Sequence, residues 1–194
     1  MKTILIINGH PNSESFNQAI FETYVSEAKK GNVNIETIEI AKLKFNPSLE
    51  FGYQKRIEME QDLIEAQEKI SRANHIVWIH PVWWGGLPAL TKGFIDRVFA
   101  PGFAFKYREN SVWWDKLLAG KTAHIITTLD QPAFYYRFAF GRPSINQLKK
   151  STFGFCGIKT KKITYFGPIR NSKEEQRKSW LEKVKVLAQK DCLS

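Results

Sequence analysis

Residues 3–17 run Thr3-Ile4-Leu5-Ile6-Ile7-Asn8-Gly9-His10-Pro11-Asn12-Ser13-Glu14-Ser15-Phe16-Asn17. Four consecutive apolar residues with no polar alternation are what a strand covered on both faces requires. A small polar loop follows. Then Phe16, Ile20 and Tyr24 recur at i, i+4 and i+8, which predicts a helix over Ser15–Lys29. Strand, loop and helix in that order form the opening unit of a parallel sheet. The alternation continues along the chain. Further strands are predicted over Asn34–Ala41, His75–Trp83, Thr122–Leu129 and Lys161–Phe166. Helices are predicted over Glu58–Ala73, Leu87–Phe99 and Lys173–Gln189, with a helical segment within Tyr136–Phe155. Five strands joined by right-handed crossovers give an α/β three-layer sandwich with strand order 2-1-3-4-5. No linker or repeat divides the chain, so residues 1–194 are expected to form one domain. In such a sheet, ligands bind beyond the carboxyl ends of the strands near the switch between strands 1 and 3. That directs attention to the residues after Asn8, His80 and Thr128.

Composition narrows the class. The net charge of +10 is uneven, with thirteen Lys/Arg against four Asp/Glu from Arg142 onward. A basic region attracts anions in general: nucleic acid, acidic lipid or nucleotide phosphates. Nucleic-acid binding wants exposed aromatics among the charges, and the cluster Lys159, Lys161, Lys162 and Arg170 reads as a solvated face. The two cysteines, Cys156 and Cys192, show no metal or disulfide spacing, and the histidines are scattered, so no metal is expected. The run after Lys2 is too short for a signal peptide, and the uncharged stretch from His75 to Thr91 holds two prolines and two glycines. The expected location is cytoplasmic.

Three segments at strand ends carry candidate chemistry. The first is Gly9–Asn17, where free N–H groups and the dipole of a helix start form an anion site, with Ser15, Asn17 and His10 adding donors. It is neither a GxGxxG fingerprint nor a P-loop, and Ser13 or Ser15 also reads as an ordinary N-cap. The second is Pro81-Val82-Trp83-Trp84-Gly85-Gly86-Leu87-Pro88-Ala89. Glycines admit close backbone approach and indoles offer a flat wall for a ring; core packing of one or both tryptophans is the competing reading. The third is Thr127-Thr128-Leu129-Asp130-Gln131-Pro132 followed by Phe134-Tyr135-Tyr136-Arg137. Its hydroxyls would read a ligand's polar edge, and Tyr135 or Tyr136 with Arg137 would stabilise negative charge. A paired-Asp pocket after strand 1 and a GxSxG elbow are both missing, which argues against a receiver domain and an α/β-hydrolase.

These segments together resemble the flavodoxin-fold NAD(P)H:quinone oxidoreductases, including the DT-diaphorase-like enzymes and the small bacterial quinone reductases. The resemblance rests on Gly9-His10-Pro11 with Ser15-Phe16-Asn17, on Pro81–Leu90 with Lys92–Phe99, and on Gly102–Phe105, Gly120-Lys121, Thr127-Thr128 and Phe155–Gly157. It implies a flavodoxin-like sheet and a tightly bound flavin, FAD or FMN. It implies that His10 and the helix start over Ser15, Phe16, Asn17 and Gln18 hold the phosphate. Pro81, Val82, Trp83, Trp84 and Gly85 would lie along the isoalloxazine ring, and Thr127 and Thr128 along its polar edge. NAD(P)H would deliver a hydride and a quinone-like acceptor would take two electrons, with Tyr135 as the catalytic residue. Family members are typically homodimers, and Phe103, Phe105, Trp113 and Trp114 would suit a subunit surface. One departure stands out: the His that follows the family's Tyr by six residues falls on Gly141. The alternative reading is a flavin-binding ancillary subunit of a membrane potassium-efflux system.

Overall fold

The computed structural model describes residues 1–55 and 57–193. The expected sheet is present. Strands β1 (Thr3–Asn8), β2 (Asn34–Glu39), β3 (His75–Pro81), β6 (Thr122–Thr128) and β7 (Lys159–Phe166) are all parallel, in the order β2-β1-β3-β6-β7. Helices α1 (Phe16–Ala28) and α6 (Glu174–Leu193) cover one face. Helices α2 (Gln61–Arg72) and α3 (Ala89–Val98) cover the other, together with the segment that includes α4 (Ala133–Phe138) and α5 (Pro143–Asn146).

The period of two along each strand sorts side chains between the layers. Ile4 and Ile6 join Val77, Ile79, Ile20 and Tyr24 on the α1/α6 side. Leu5 and Ile7 join Ile76, Trp78, Leu63 and Phe94 on the α2/α3 side. Trp78 is the large fully buried indole, and it meets Phe94, Phe99 and Phe153 at centroid distances of 6.1, 6.5 and 5.7 Å.

Three differences from the sequence reading have physical causes. The third strand stops at Pro81 rather than Trp83, because Trp83 turns back to pair with Gly86. The stretch 100–120, expected to be irregular, holds a small antiparallel hairpin of β4 (Phe105–Tyr107) and β5 (Trp114–Lys116). Its strands are three residues each, too short to show a pattern. Phe105 is buried in the core and Trp114 stacks on Phe155 at 4.2 Å, while Trp113 alone of that pair stays exposed. Finally, the helical segment after Tyr136 widens over Gln147–Gly154 into π-helix. Thr152 Oγ1 donates to the Gln147 carbonyl at 3.0 Å across that wide turn. Of the expected loop 42–56, Arg56 lies outside the described residues.

Strand β7 forms one edge of the sheet. Its pairing shifts between Ala123 and His124, so Thr160 and Lys162 have partners and Lys161 bulges between them. No helix among the described residues is long and apolar enough to cross a membrane.

One polar cluster is built into the α1/α6 layer. His124 Nδ1 lies 2.5 Å from Asp191 Oδ2 and its Nε2 lies 2.9 Å from Thr164 Oγ1. Tyr24 donates to the same Asp191 oxygen at 2.8 Å. Burial works to raise the Asp191 pKa, but the bonds from His124 and Tyr24 prevail and hold it below 3.8. A carboxylate depressed in this way stabilises the fold above its ordinary pKa and ceases to do so as pH falls through the folded value. Asp191→Ala leaves two buried donors facing a void and is expected to cost about 3–5 kcal/mol. Urea unfolding at pH 7 measures this, and the gap to wild type should narrow below about pH 4.

Candidate functional site

The three central strands end side by side, at Asn8, Pro81 and Thr128. The loop after β1 is held close to the sheet and to α3. Gly9 N–H donates to the Ile79 carbonyl at 2.8 Å, and Thr91 Oγ1 donates to the Gly9 carbonyl at 2.5 Å. A Cβ on Gly9 would stand 2.9 Å from Thr91 Oγ1, so this approach requires glycine. Asn8 Oδ1 accepts from His10 N–H at 3.0 Å, and His10 Nδ1 accepts from Asn12 N–H at 3.0 Å. With Nδ1 accepting, the neutral ring carries its hydrogen on Nε2. Partial burial lowers the His10 pKa and favours that neutral form.

Helix α1 starts here. Ser15 is its N-cap, with Oγ accepting from Gln18 N–H at 3.2 Å, and the first turn holds no acidic residue. Asn17 is buried and its Oδ1 accepts from Thr128 Oγ1 at 2.7 Å, while its Nδ2 finds no partner among the described residues. A buried amide donor with nothing to satisfy it is costly, and an anion at the helix start would remove that cost. The donor set therefore fits a phosphate. Gln18 is placed differently from the other candidates. Its side chain accepts from Asn8 Nδ2 at 2.7 Å and donates to Glu22 and Glu39 at 3.0 and 2.9 Å, so it braces the strand ends. The Phe16 ring leans toward Trp180 on α6.

After β3 the chain makes a tight reversal. Trp83 and Gly86 exchange both backbone bonds, at 3.1 and 2.9 Å. The two central residues have positive φ, +50° at Trp84 and +75° at Gly85. That is the mirror-image turn usually made by Asn-Gly. A bulky residue in this region costs on the order of 1–2 kcal/mol. Neither tryptophan is core: Trp83 is half exposed and Trp84 wholly so. Val82, Trp83, Trp84, Gly85, Leu129, Asp130, Gln131 and Phe140 line a cleft of about 490 Å³. Trp83 meets the His10 ring edge-on at 5.5 Å, joining the turn to the first loop. A larger cavity of about 1060 Å³, between α2, α3 and the loop before α2, shares no lining residue with the cleft and lies away from the strand ends.

The third segment divides into inward and outward parts. Thr127 is fully buried, with Oγ1 3.4 Å from His80 Nε2, so only its backbone is available to a ligand. Thr128 holds Asn17. Tyr135 is about half exposed, 5.5 Å from Phe140, whereas Tyr136 is fully buried. Gly141 has a positive φ of +68° and open space where a side chain would begin. The structure thus brings together His10 with Trp83, Asn17 with Thr128, and the turn with Phe140. Tyr136, one of the two tyrosines read as a charge stabiliser, instead lies buried behind the turn with His80 and Ser144, and those two carry no motif by which a sequence reading would single them out.

Residues 2–188 match a family model described as a flavodoxin-like fold. The chain belongs to this family. An uncharacterised NAD(P)H oxidoreductase of Haemophilus influenzae is 30% identical over 182 residues, covering 92% of this chain and 90% of the relative. The ribosyldihydronicotinamide dehydrogenase [quinone] of Rattus norvegicus is 26% identical over 220 residues, covering 96% and 92%. Among solved structures, Smu.1420 from Streptococcus mutans superposes with a TM-score of 0.82 at 32% identity, covering 97% of this chain and 99% of the other. An FMN-dependent NADH-azoreductase from Bacillus anthracis, solved with FMN, shares the fold at a TM-score of 0.71 and 21% identity, covering 99% and 100%.

The unpartnered Asn17 amide gives a direct test. Asn17→Asp replaces the buried donor by a charge that repels a phosphate. FMN affinity should fall at least about tenfold, equivalent to about 1.4 kcal/mol. Riboflavin, which lacks the phosphate, should lose much less; fluorescence titration of both ligands separates the two.

Proposed function

We propose that this protein is a flavin-dependent NAD(P)H:quinone-type oxidoreductase that works by two-electron transfer. The observation that carries the reading is the anion cradle at the start of α1, with its unsatisfied Asn17 Nδ2, set beside the Trp83–Gly86 turn at the adjoining strand end. The family membership and the oxidoreductase names of the relatives support it. So does the FMN held by the azoreductase that shares the fold. These relatives lend the ancillary-subunit alternative no support.

A bound flavin supplies hydride acceptance from NAD(P)H and two-electron delivery to an acceptor. The protein's part is binding, orientation and charge placement. Asn17 Nδ2, the first-turn N–H groups of α1 and the Nε2–H of His10 would hold the phosphate. The backbone of Pro81–Gly85 would form the ring's wall, and the Thr127 and Thr128 backbone its polar edge. Tyr135, about half exposed, would meet the substrate, and Arg137 and Arg142, whose charge acts on Tyr165, would add positive charge there. Such charge favours electron density arriving at the site.

The acceptor is a planar quinone-like compound, stacked against the aromatic rim. A homodimer belongs to the proposal. Exposed Tyr107 and Trp113 on the hairpin support it, as do Met59, Ile64 and Phe103 at the lining of the larger cavity. A cytoplasmic location is supported by the free thiols of Cys156 and Cys192.

The test is a visible spectrum of purified protein before and after anaerobic NADPH. The expected result is a yellow protein that bleaches and regains colour with a quinone. Colourless protein that fails to take up FMN or FAD overturns the enzyme reading.

A further inference from the structure

A chain of buried polar groups lies directly behind the Trp83–Gly86 turn. Tyr136 donates its hydroxyl hydrogen to the Gly85 carbonyl at 3.0 Å. A hydroxyl has one hydrogen, so at its 2.7 Å contact with Tyr136 the Ser144 hydroxyl must be the donor. Ser144 has then used its own hydrogen, so at the 3.3 Å contact the donor is His80 Nε2–H. The sequence of donors is His80, Ser144, Tyr136, Gly85 carbonyl. Burial lowers the His80 pKa to about 3, so the ring is neutral, and the same Nε2 also lies 3.4 Å from Thr127 Oγ1. Ser144 N–H adds two more bonds, to the Gly85 carbonyl at 3.2 Å and to Tyr136 Oη at 3.0 Å. All three side chains are fully buried.

The other end of the same peptide is also fixed, since Gly86 N–H donates to the Trp83 carbonyl. The Gly85–Gly86 peptide is therefore held at both its oxygen and its nitrogen. It is the peptide that closes the strained reversal. Strain of this kind persists only where the surroundings over-determine it. The Trp84 side chain makes no such contribution, because it is wholly exposed.

We propose that Tyr136 and Ser144 are positioning residues for the ligand wall, locking the Trp84–Gly85 turn in its binding geometry before any ligand arrives. The inference rests on the flavin reading and deepens it. Ordering the turn during folding removes that ordering cost from binding, which is the general advantage of preorganisation. The latch also ties the wall to the rim, because Tyr136 lies on α4 and Ser144 on α5, flanking Phe140 and Arg142. Wall and rim then keep a fixed spacing across the cleft.

The test uses Tyr136→Phe, Ser144→Ala and Trp84→Gly in the full chain, measuring flavin dissociation constant, the bound flavin's absorption maxima and apo-protein melting temperature. Tyr136→Phe keeps the ring in the core and deletes the bond to the Gly85 carbonyl. It should weaken flavin binding about three- to tenfold and shift the bound absorption maxima. Ser144→Ala should do the same, and stands in should Tyr136→Phe fold poorly. Trp84→Gly relieves the positive-φ strain, so it should raise the apo melting temperature by about 2–4 °C while still weakening the flavin. A latch variant that binds flavin with wild-type affinity and spectrum overturns the proposal. So does Trp84→Gly if it gains stability with no loss of flavin affinity. Wild-type protein that binds no flavin overturns the underlying reading instead, and is read before any variant.

Discussion

The central strand pair is the constraint from which the rest follows. Ile4–Ile7 and Ile76–Ile79 are wholly buried on both faces. A parallel pair of this kind cannot face water, so both layers of helices become obligatory. It also leaves no strand side chain for chemistry except at the ends. Parallel strands share a direction, so β1, β3 and β6 deliver their carboxyl ends to one place. The loop with His10, the turn with Trp84 and the hydroxyl of Thr128 meet there because the sheet is parallel, before any attraction among them is considered.

Within that site, polar groups divide into those that build and those left over. Gln18, Thr127 and Thr128 spend their side-chain hydrogen bonds inside the protein. Asn17 keeps one amide donor in hand, and the Trp84 indole lies outside the fold altogether. An unspent buried donor and an unpacked large apolar ring are each unfavourable in isolation. Their occurrence at adjoining strand ends is what separates a binding site from a well-capped loop.

Much of this was legible in the sequence. The run Ile4–Ile7, the stripe Phe16, Ile20 and Tyr24, and the order of strands were visible as periodicity. Gly9 and Gly85 marked close approach and a turn. What periodicity cannot show is direction. It gave no way to tell that Trp83 and Trp84 face outward while Trp78 fills the core, or that Tyr136 rather than Tyr135 is buried. Nor does it show that the Gln18 carboxamide is drawn to Glu22 and Glu39. The hairpin at Phe105–Tyr107 and Trp114–Lys116 escaped because three-residue strands carry no pattern. The His80–Ser144 and Tyr24–Asp191 contacts join residues 64 and 167 positions apart, and only the fold makes them neighbours.

The edge strand β7 gives the uneven charge a further meaning. Its open side offers unpaired backbone groups to any extended chain that comes near. Lys159 and Lys161 stand exposed along it, and the bulge at Lys161 breaks its regular spacing. Charge and irregularity on an edge are the devices by which sheets refuse a further strand. Part of the C-terminal excess of lysine therefore guards the protein against joining edge to edge with its own copies into fibrils.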